Sequence, residues 1–300
     1  MTPSHTAFFR ESGSFNPAVE VPFIKMHGLR NAFVILDGRE REHRQYLRSP
    51  DIERICDAHA GVGADELLVL ESPTKAGLAA GAAAFMRIFN IDGREVGACG
   101  NATRCVAYLL MNEAGVNEVL VETMAGVLAC RDGGPMTVSV ELGPISLDWR
   151  RVPLSRPADT LDLPLISGPL ANGVAVNVGN PHAVFFVSSL AKTDLPTHAP
   201  AIQTHPLFAE GANVGAAEIV DENTIRLAVW ERPGILTQAC GTGACAAVFA
   251  AHQRKLVKGH KVTVHLPGGV MDVTIDGDMA TMTGPVSFCC RGHVSLSGWN

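Results

Sequence analysis

The 300-residue sequence has no apolar stretch long enough to cross a bilayer and no run of basic residues. A membrane-spanning helix needs about 20 consecutive apolar residues. With 24 basic against 30 acidic side chains and a net charge of −6, neither nucleic acid nor an anionic membrane surface is the expected partner. Residues 1–20 lack the basic start and apolar core of a secretion signal. Their Ser, Pro, Gly and Asn content predicts a loosely ordered extension instead. Cys99/Cys105 and Cys240/Cys245 lack the short C-x₂₋₄-C spacing of a zinc knuckle. No motif for a pyridoxal, nucleotide or metal cofactor is present, so no cofactor is expected. The eight cysteines, at 56, 99, 105, 130, 240, 245, 289 and 290, follow no signal. They are expected to be reduced thiols in the cytoplasm rather than a disulfide framework.

What remains is an ordinary globular composition, 47% hydrophobic and 18% charged. Hydrophobic cores tend to split beyond roughly 250 residues, so a chain of this length allows two domains. VPFIKM (21–26), AFVILD (32–37), ELLVLE (66–71) and AFMRIFN (84–90) read as strands. Ser49-Pro50 reads as a helix start and Gly61 as its stop. The Ala/Gly-rich stretch before residue 84 reads as a weakly structured connection, and an apolar run after Cys99 as a buried helix. Polar, Pro-rich residues 155–169 read as the interdomain linker. That gives an extension (1–20), a first domain (21–154) and a second domain (155–300).

Beyond the linker the order of elements recurs. Cys99 and Cys240 are 141 residues apart, and Phe89/Trp230, Gly93/Gly234, Ala98/Ala239 and Gly100/Gly241 share that offset. GPIS (143–146) and GPVS (284–287) share it too, while TMAGVL (123–128) and LPGGVM (266–271) slip to 143. GLRNAFVIL (28–36) resembles GNPHAVFFV (179–187) at offset 151. One matched tripeptide can be chance; a common offset over about 58 residues indicates an internal duplication. The expected fold is α+β: two pseudo-symmetric domains, each a mixed or antiparallel sheet wrapped around a central helix.

In both copies Cys-Gly-(Asn/Thr) opens a helix. A thiol there meets unpaired N–H groups and the positive end of the helix dipole, and the glycine lets those N–H groups approach an anion closely. A lone cysteine at such a position is most often a small packing residue. Two at matching helix starts are harder to explain that way. Pseudo-twofold domains are expected to bring equivalent ends together. Two opposed acid/base groups then suit inversion of a stereocentre: one removes an α-proton and the other protonates the opposite face. Helix N–H groups would stabilise charge spreading onto the carboxylate. Cys56, Cys105, Cys130, Cys245, Cys289 and Cys290 are expected to be core.

KMHGLRNAF (25–33), FNIDGREVGACGNATRC (89–105), GNPH (179–182) and WERPGILTQACGTGACA (230–246) together resemble the diaminopimelate epimerase family. The resemblance implies a cofactor-independent epimerase that interconverts LL- and meso-2,6-diaminopimelate in lysine and peptidoglycan precursor synthesis. Cys99 and Cys240 match its acid/base thiols, and Gly100, Asn101, Gly241 and Thr242 its carboxylate cradle. Asn31, Glu66, Asn90, Asn180, Asn213, Glu231 and Arg232 match substrate-binding positions. Glu231 and His182 also match residues that tune the thiols. The resemblance points to a homodimer. Arg30 stands where the family usually has Gly, Glu66 where it has Gln, and Pro233 falls in an altered loop before the second cysteine. Proline and hydroxyproline racemases resemble the same scaffold, with a different lead-in to the second cysteine. The non-enzyme alternative is a redox sensor that uses Cys99 and Cys240 as a switch.

Overall fold

The structure, a computed structural model, describes residues 20–39, 49–232 and 234–295. The expected N-terminal extension therefore lies outside the described residues except for Glu20, and so does Pro233. The chain divides into two compact units, residues 1–140 with 285–300, and residues 141–284.

The first unit starts with β1 (Glu20–Gly28) and β2 (Asn31–Asp37), a hairpin closed by Leu29 and Arg30. Both closing residues are left-handed, with φ of 54° and 67°. That is the two-residue turn whose backbone twist matches the strands, and it usually carries Asn and Gly. Next come α1 (Ser49–Cys56), β3 (Glu66–Glu71), α2 (Lys75–Ala80), β4 (Ala84–Asn90) and β5 (Glu95–Val96). They are followed by α3 (Gly100–Ala114), β6 (Glu118–Thr123), β7 (Gly126–Asp132) and β8 (Thr137–Leu142). Strand β2 runs parallel to β3, β3 antiparallel to β4, β4 parallel to β6, and β6 antiparallel to β7. Val34 and Leu36 of β2 pack with Ile52 and Ile55 of α1, while Phe33 and Ile35 are fully buried on the opposite face. Helix α3 packs against β1, β6 and β7.

The second unit holds β9 (Leu163–Ser167), β10 (Leu170–Asn177), β11 (Pro181–Phe186), α4 (Leu195–Gln203), β12 (Asn213–Asp221) and β13 (Thr224–Glu231). After them come β14 (Ile235–Leu236), α5 (Gly241–Gln253), β15 (Lys261–Leu266), β16 (Gly269–Asp276) and β17 (Met279–Pro285). Strand β11 runs parallel to β12, β12 antiparallel to β13, β13 parallel to β15, and β15 antiparallel to β16. This is the pairing sequence of the first unit, so the duplication read from the 141-residue offset extends to topology. Helix α5, GTGACAAVFAAHQ, is buried at ten of its positions and packs against β10, β11, β12, β13 and β16. An apolar surface all round marks a helix enclosed on every side.

Five expectations need correction. The units divide at Val140/Glu141 rather than at residue 154, because Val152 and Leu154 belong to the same core as Leu163, Leu165 and Phe185. The presumed linker contains β9, whose alternate residues Leu163 and Leu165 are buried in that core. The C-terminal segment belongs to the first unit, where β18 (Ser287–Ser295) pairs antiparallel with β1. The Ala/Gly-rich connection contains α2, held at its start by the Thr74 side chain accepting from Gly77 N–H and at its end by left-handed Gly81. Cys289 and Cys290 are exposed on β18, whereas Cys56, Cys105, Cys130 and Cys245 are buried as expected.

Candidate active site

Each cysteine singled out by the repeat is the N-cap of its helix. Cys99 precedes α3 with φ −144° and ψ 113°, and Cys240 precedes α5 with φ −126° and ψ 108°. In this extended conformation the cap residue turns the chain into the helix while the first N–H groups stay free of intrahelical partners.

In the first unit the Cys99 thiol faces Asn31 Oδ1 at 3.8 Å. The same oxygen accepts from Asn101 Nδ2 at 3.1 Å. Asn31 Nδ2 donates to Asp65 Oδ2 at 3.3 Å, and that oxygen also accepts the Ala32 N–H at 2.7 Å. Glu66 and Asn90 are directly opposite each other at the ends of β3 and β4, both half-buried. The structure thus joins Asn31, Cys99 and Asn101 by hydrogen bonds and pairs Glu66 with Asn90 through the sheet.

In the second unit the Cys240 sulfur accepts from the Gly243 N–H at 3.3 Å and lies 3.5 Å from Thr242 Oγ1. Glu231 shares a hydrogen bond with it. Burial, with Glu231 adding, pushes the Cys240 thiol well above its ordinary value. Burial likewise raises the Glu231 carboxyl, partly opposed by its bonds to Thr237 and Cys240. Cys240 therefore rests protonated with a carboxyl group at hand.

His182, almost wholly buried, places Nε2 at 2.9 Å from Asn180 Oδ1, 3.0 Å from Thr242 Oγ1 and 3.5 Å from Asn213 Nδ2. The ring nitrogen thus faces an acceptor in Asn180 and a donor in Asn213, with the Thr242 hydroxyl able to serve as either. Burial, with Arg232 adding, pushes the ring down to about 3, so it is neutral. His182 reaches the thiol through Thr242 rather than directly. Asn213 Oδ1 accepts the Arg232 N–H at 2.9 Å, and the exposed Arg232 side chain bonds Glu210 O at 2.9 Å. Asn180, His182, Asn213, Arg232 and Thr242 thus form one network around the start of α5.

The repeat sharpens one equivalence. At offset 151 Asn31 matches His182, and at offset 141 Asn101 matches Thr242. Within the first unit Asn31 contacts Asn101 at 3.1 Å, and within the second His182 contacts Thr242 at 3.0 Å. Two residues that sequence reasoning missed complete the first network: Asp65 and the fully buried Arg104, which donates to Asn101 Oδ1 at 2.8 Å. Arg104 lay in plain sight within GNATRC, but an arginine inside a helical run looks like a solvated side chain.

The family profile of diaminopimelate epimerase matches residues 23–147 and 174–289. A diaminopimelate epimerase of Acidiphilium cryptum (strain JF-5) is 45% identical over 277 residues, covering 92% of this chain and 97% of that protein. Another, of Sphingopyxis alaskensis (strain DSM 13593 / LMG 18877 / RB2256), is 47% identical over 249 residues, covering 82% and 87%. Among solved structures, a hydroxyproline epimerase from Agrobacterium vitis with bound trans-4-hydroxy-L-proline superposes with a TM-score of 0.66 at 17% identity. The match covers 94% of this chain and 92% of that one. At that identity the likeness is one of fold.

Proposed function

The chain belongs to the diaminopimelate epimerase family, and we propose that it inverts one α-carbon of 2,6-diaminopimelate, LL to meso and back, without a cofactor. Cys99 and Cys240 serve as the two acid/base groups. The observation that carries this reading is the matched placement of two thiols as N-caps of equivalent helices.

In the proposed mechanism one sulfur removes the α-proton and the other delivers a proton to the opposite face, so the stereocentre inverts. As the proton leaves, charge moves onto the carboxylate. The N–H groups at Gly100–Asn101 and Gly241–Thr242 stabilise it where it develops. Glu231 exchanges a proton with Cys240, letting a buried thiol serve as acid in one direction and base in the other. His182, neutral, fixes the Thr242 hydroxyl. Asn31, Glu66, Asn90, Asn180, Asn213 and Arg232 hold the remainder of the substrate. Amide oxygens and a carboxylate suit an ammonium, and a guanidinium suits a carboxylate.

A proline or hydroxyproline racemase is the second reading, favoured by the shared fold of the Agrobacterium vitis enzyme. A cyclic imino acid has no second amino-acid end for Arg232 to hold, which weighs against it. A biosynthetic role of this kind is in keeping with a cytoplasmic location, and the family resemblance is in keeping with a homodimer.

The purified protein is tested with LL-diaminopimelate and with L-proline in reducing buffer, the isomers resolved by chiral chromatography. Formation of meso-diaminopimelate with inert proline supports the proposal; racemised proline with inert diaminopimelate overturns it. Cys99→Ser and Cys240→Ser should each lower turnover by about 10²–10⁴-fold, the usual worth of a positioned acid/base group.

A further inference from the structure

The largest fully buried side chain among the described residues is Arg104, on the second turn of α3. Taking a guanidinium out of water is costly, and a Met or Leu would fill a helix–sheet contact without that cost. Its Nη2 donates to Asn101 Oδ1 at 2.8 Å. A guanidinium only donates, so the Asn101 atom facing it is fixed as oxygen and the atom facing Asn31 as the amide nitrogen. Asn101 accordingly donates to Asn31 Oδ1, the same oxygen that faces the Cys99 thiol at 3.8 Å. At the other end Asp65, which only accepts when ionised, takes the Asn31 amide at 3.3 Å. A donor-only group and an acceptor-only group thus bracket two amides. Gly28 leaves room for the guanidinium, since a Cβ there would stand 3.0 Å from Nη2.

We propose that Arg104 is a positioning residue for Cys99: through Asn101 and Asn31 it holds an oxygen acceptor against the thiol and sets where the sulfur sits relative to the start of α3. The proposal rests on Cys99 acting as an acid/base group. Arg104 touches no reacting atom; its effect passes through the two asparagines.

The test is a double-mutant cycle in the full-length protein. Arg104→Met and Gly28→Ala are each made in the wild-type and Asn31→Ala backgrounds, with Arg104→Lys as the conservative variant. Two quantities are read: kcat and KM with LL-diaminopimelate, and the alkylation rate of Cys99 by iodoacetamide, followed by peptide mass spectrometry. In the wild-type background Arg104→Met should lower kcat about tenfold or more with KM nearly unchanged, since misplacement of a reacting group falls on the transition state. The rate of Cys99 alkylation should change as well. Arg104→Lys should recover most of both, and Gly28→Ala, whose Cβ would stand 3.0 Å from the guanidinium and 3.4 Å from Asn101, should give a smaller loss. In the Asn31→Ala background both substitutions should become silent, because the link they act through is gone.

Wild-type kcat and alkylation in Arg104→Met would overturn the proposal. So would losses of equal size in both backgrounds, the pattern of a side chain that only supports the fold. If Arg104→Met does not fold, Gly28→Ala decides by the same two criteria. If the wild-type protein fails to epimerise diaminopimelate, the functional reading falls, while the alkylation cycle still decides whether Arg104 acts on Cys99.

Discussion

Gly243 donates its backbone N–H to the Cys240 sulfur across 3.3 Å. The cap of α5 is thus a thiol that accepts a helix hydrogen bond, whereas the Cys99 side chain makes no such bond to α3. A Cβ on Gly243 would stand 2.9 Å from Val229 Cγ2 and 3.2 Å from the sulfur. Alanine in a helix is ordinarily favoured over glycine by about 1 kcal/mol. Here it crowds the thiol, so Gly243→Ala should lower kcat about tenfold or more, as expected when a reacting group is displaced. Steady-state kinetics checks this, and an unchanged kcat would show that the sulfur tolerates displacement.

His182 gives stability a defined pH dependence. Its ring is pushed down to about 3, while the unfolded histidine titrates near 6.5. Between those values the unfolded chain binds the extra proton, so stability falls as pH drops below about 6.5 and continues to fall toward 3. At pH 5 the loss from this one residue is about 2 kcal/mol. Urea denaturation at pH 7 and pH 5 should show a smaller drop for His182→Asn than for wild type. Equal drops would mean that the ring is protonated in the folded protein.

The remaining thiols separate by position. Burial pushes Cys56 and Cys105 up to about 12, whereas Cys289 and Cys290 are exposed on β18. A disulfide reagent at pH 8, with sites assigned by mass spectrometry, should modify Cys289 and Cys290 in the native protein. Cys56 and Cys105 should react only on unfolding. Modification of Cys105 in the native state would contradict the packing of α3.

Arg30 occupies a left-handed position, φ 67°, beside left-handed Leu29. A side chain there costs about 1–2 kcal/mol, which glycine avoids at some cost in unfolded-chain entropy. Arg30→Gly should therefore raise stability by about 0.5–1 kcal/mol, seen as a higher Tm by calorimetry. A lower Tm would show that the side chain makes contacts worth more than the strain.

The residues β3 and β4 matched their sequence reading to the residue because each is a short apolar run between clear turn signals. Helix α2 was hidden since KAGLAA has no apolar periodicity; its signals were the caps Thr74 and Gly81. Strand β9 hid in a Pro-rich stretch whose alternating Leu163 and Leu165 mark one buried face. The return of β18 to the first unit is long-range pairing, which no local pattern encodes. At the site, the cysteine helix starts were legible because the chain contains its own comparison, at offset 141. Arg104 and Asp65 were not, since only the fold brings them to Asn101 and Asn31.

The most direct test of two-base inversion is the fate of the α-hydrogen in D₂O. LL-diaminopimelate is incubated with the protein under reducing conditions and both isomers are analysed by mass spectrometry at low conversion. Two bases predict deuterium at the inverted centre of the meso product from the first turnovers, while remaining LL substrate is unlabelled. Meso product that keeps its original hydrogen, or LL substrate labelled as fast as product forms, would contradict the roles assigned to Cys99 and Cys240.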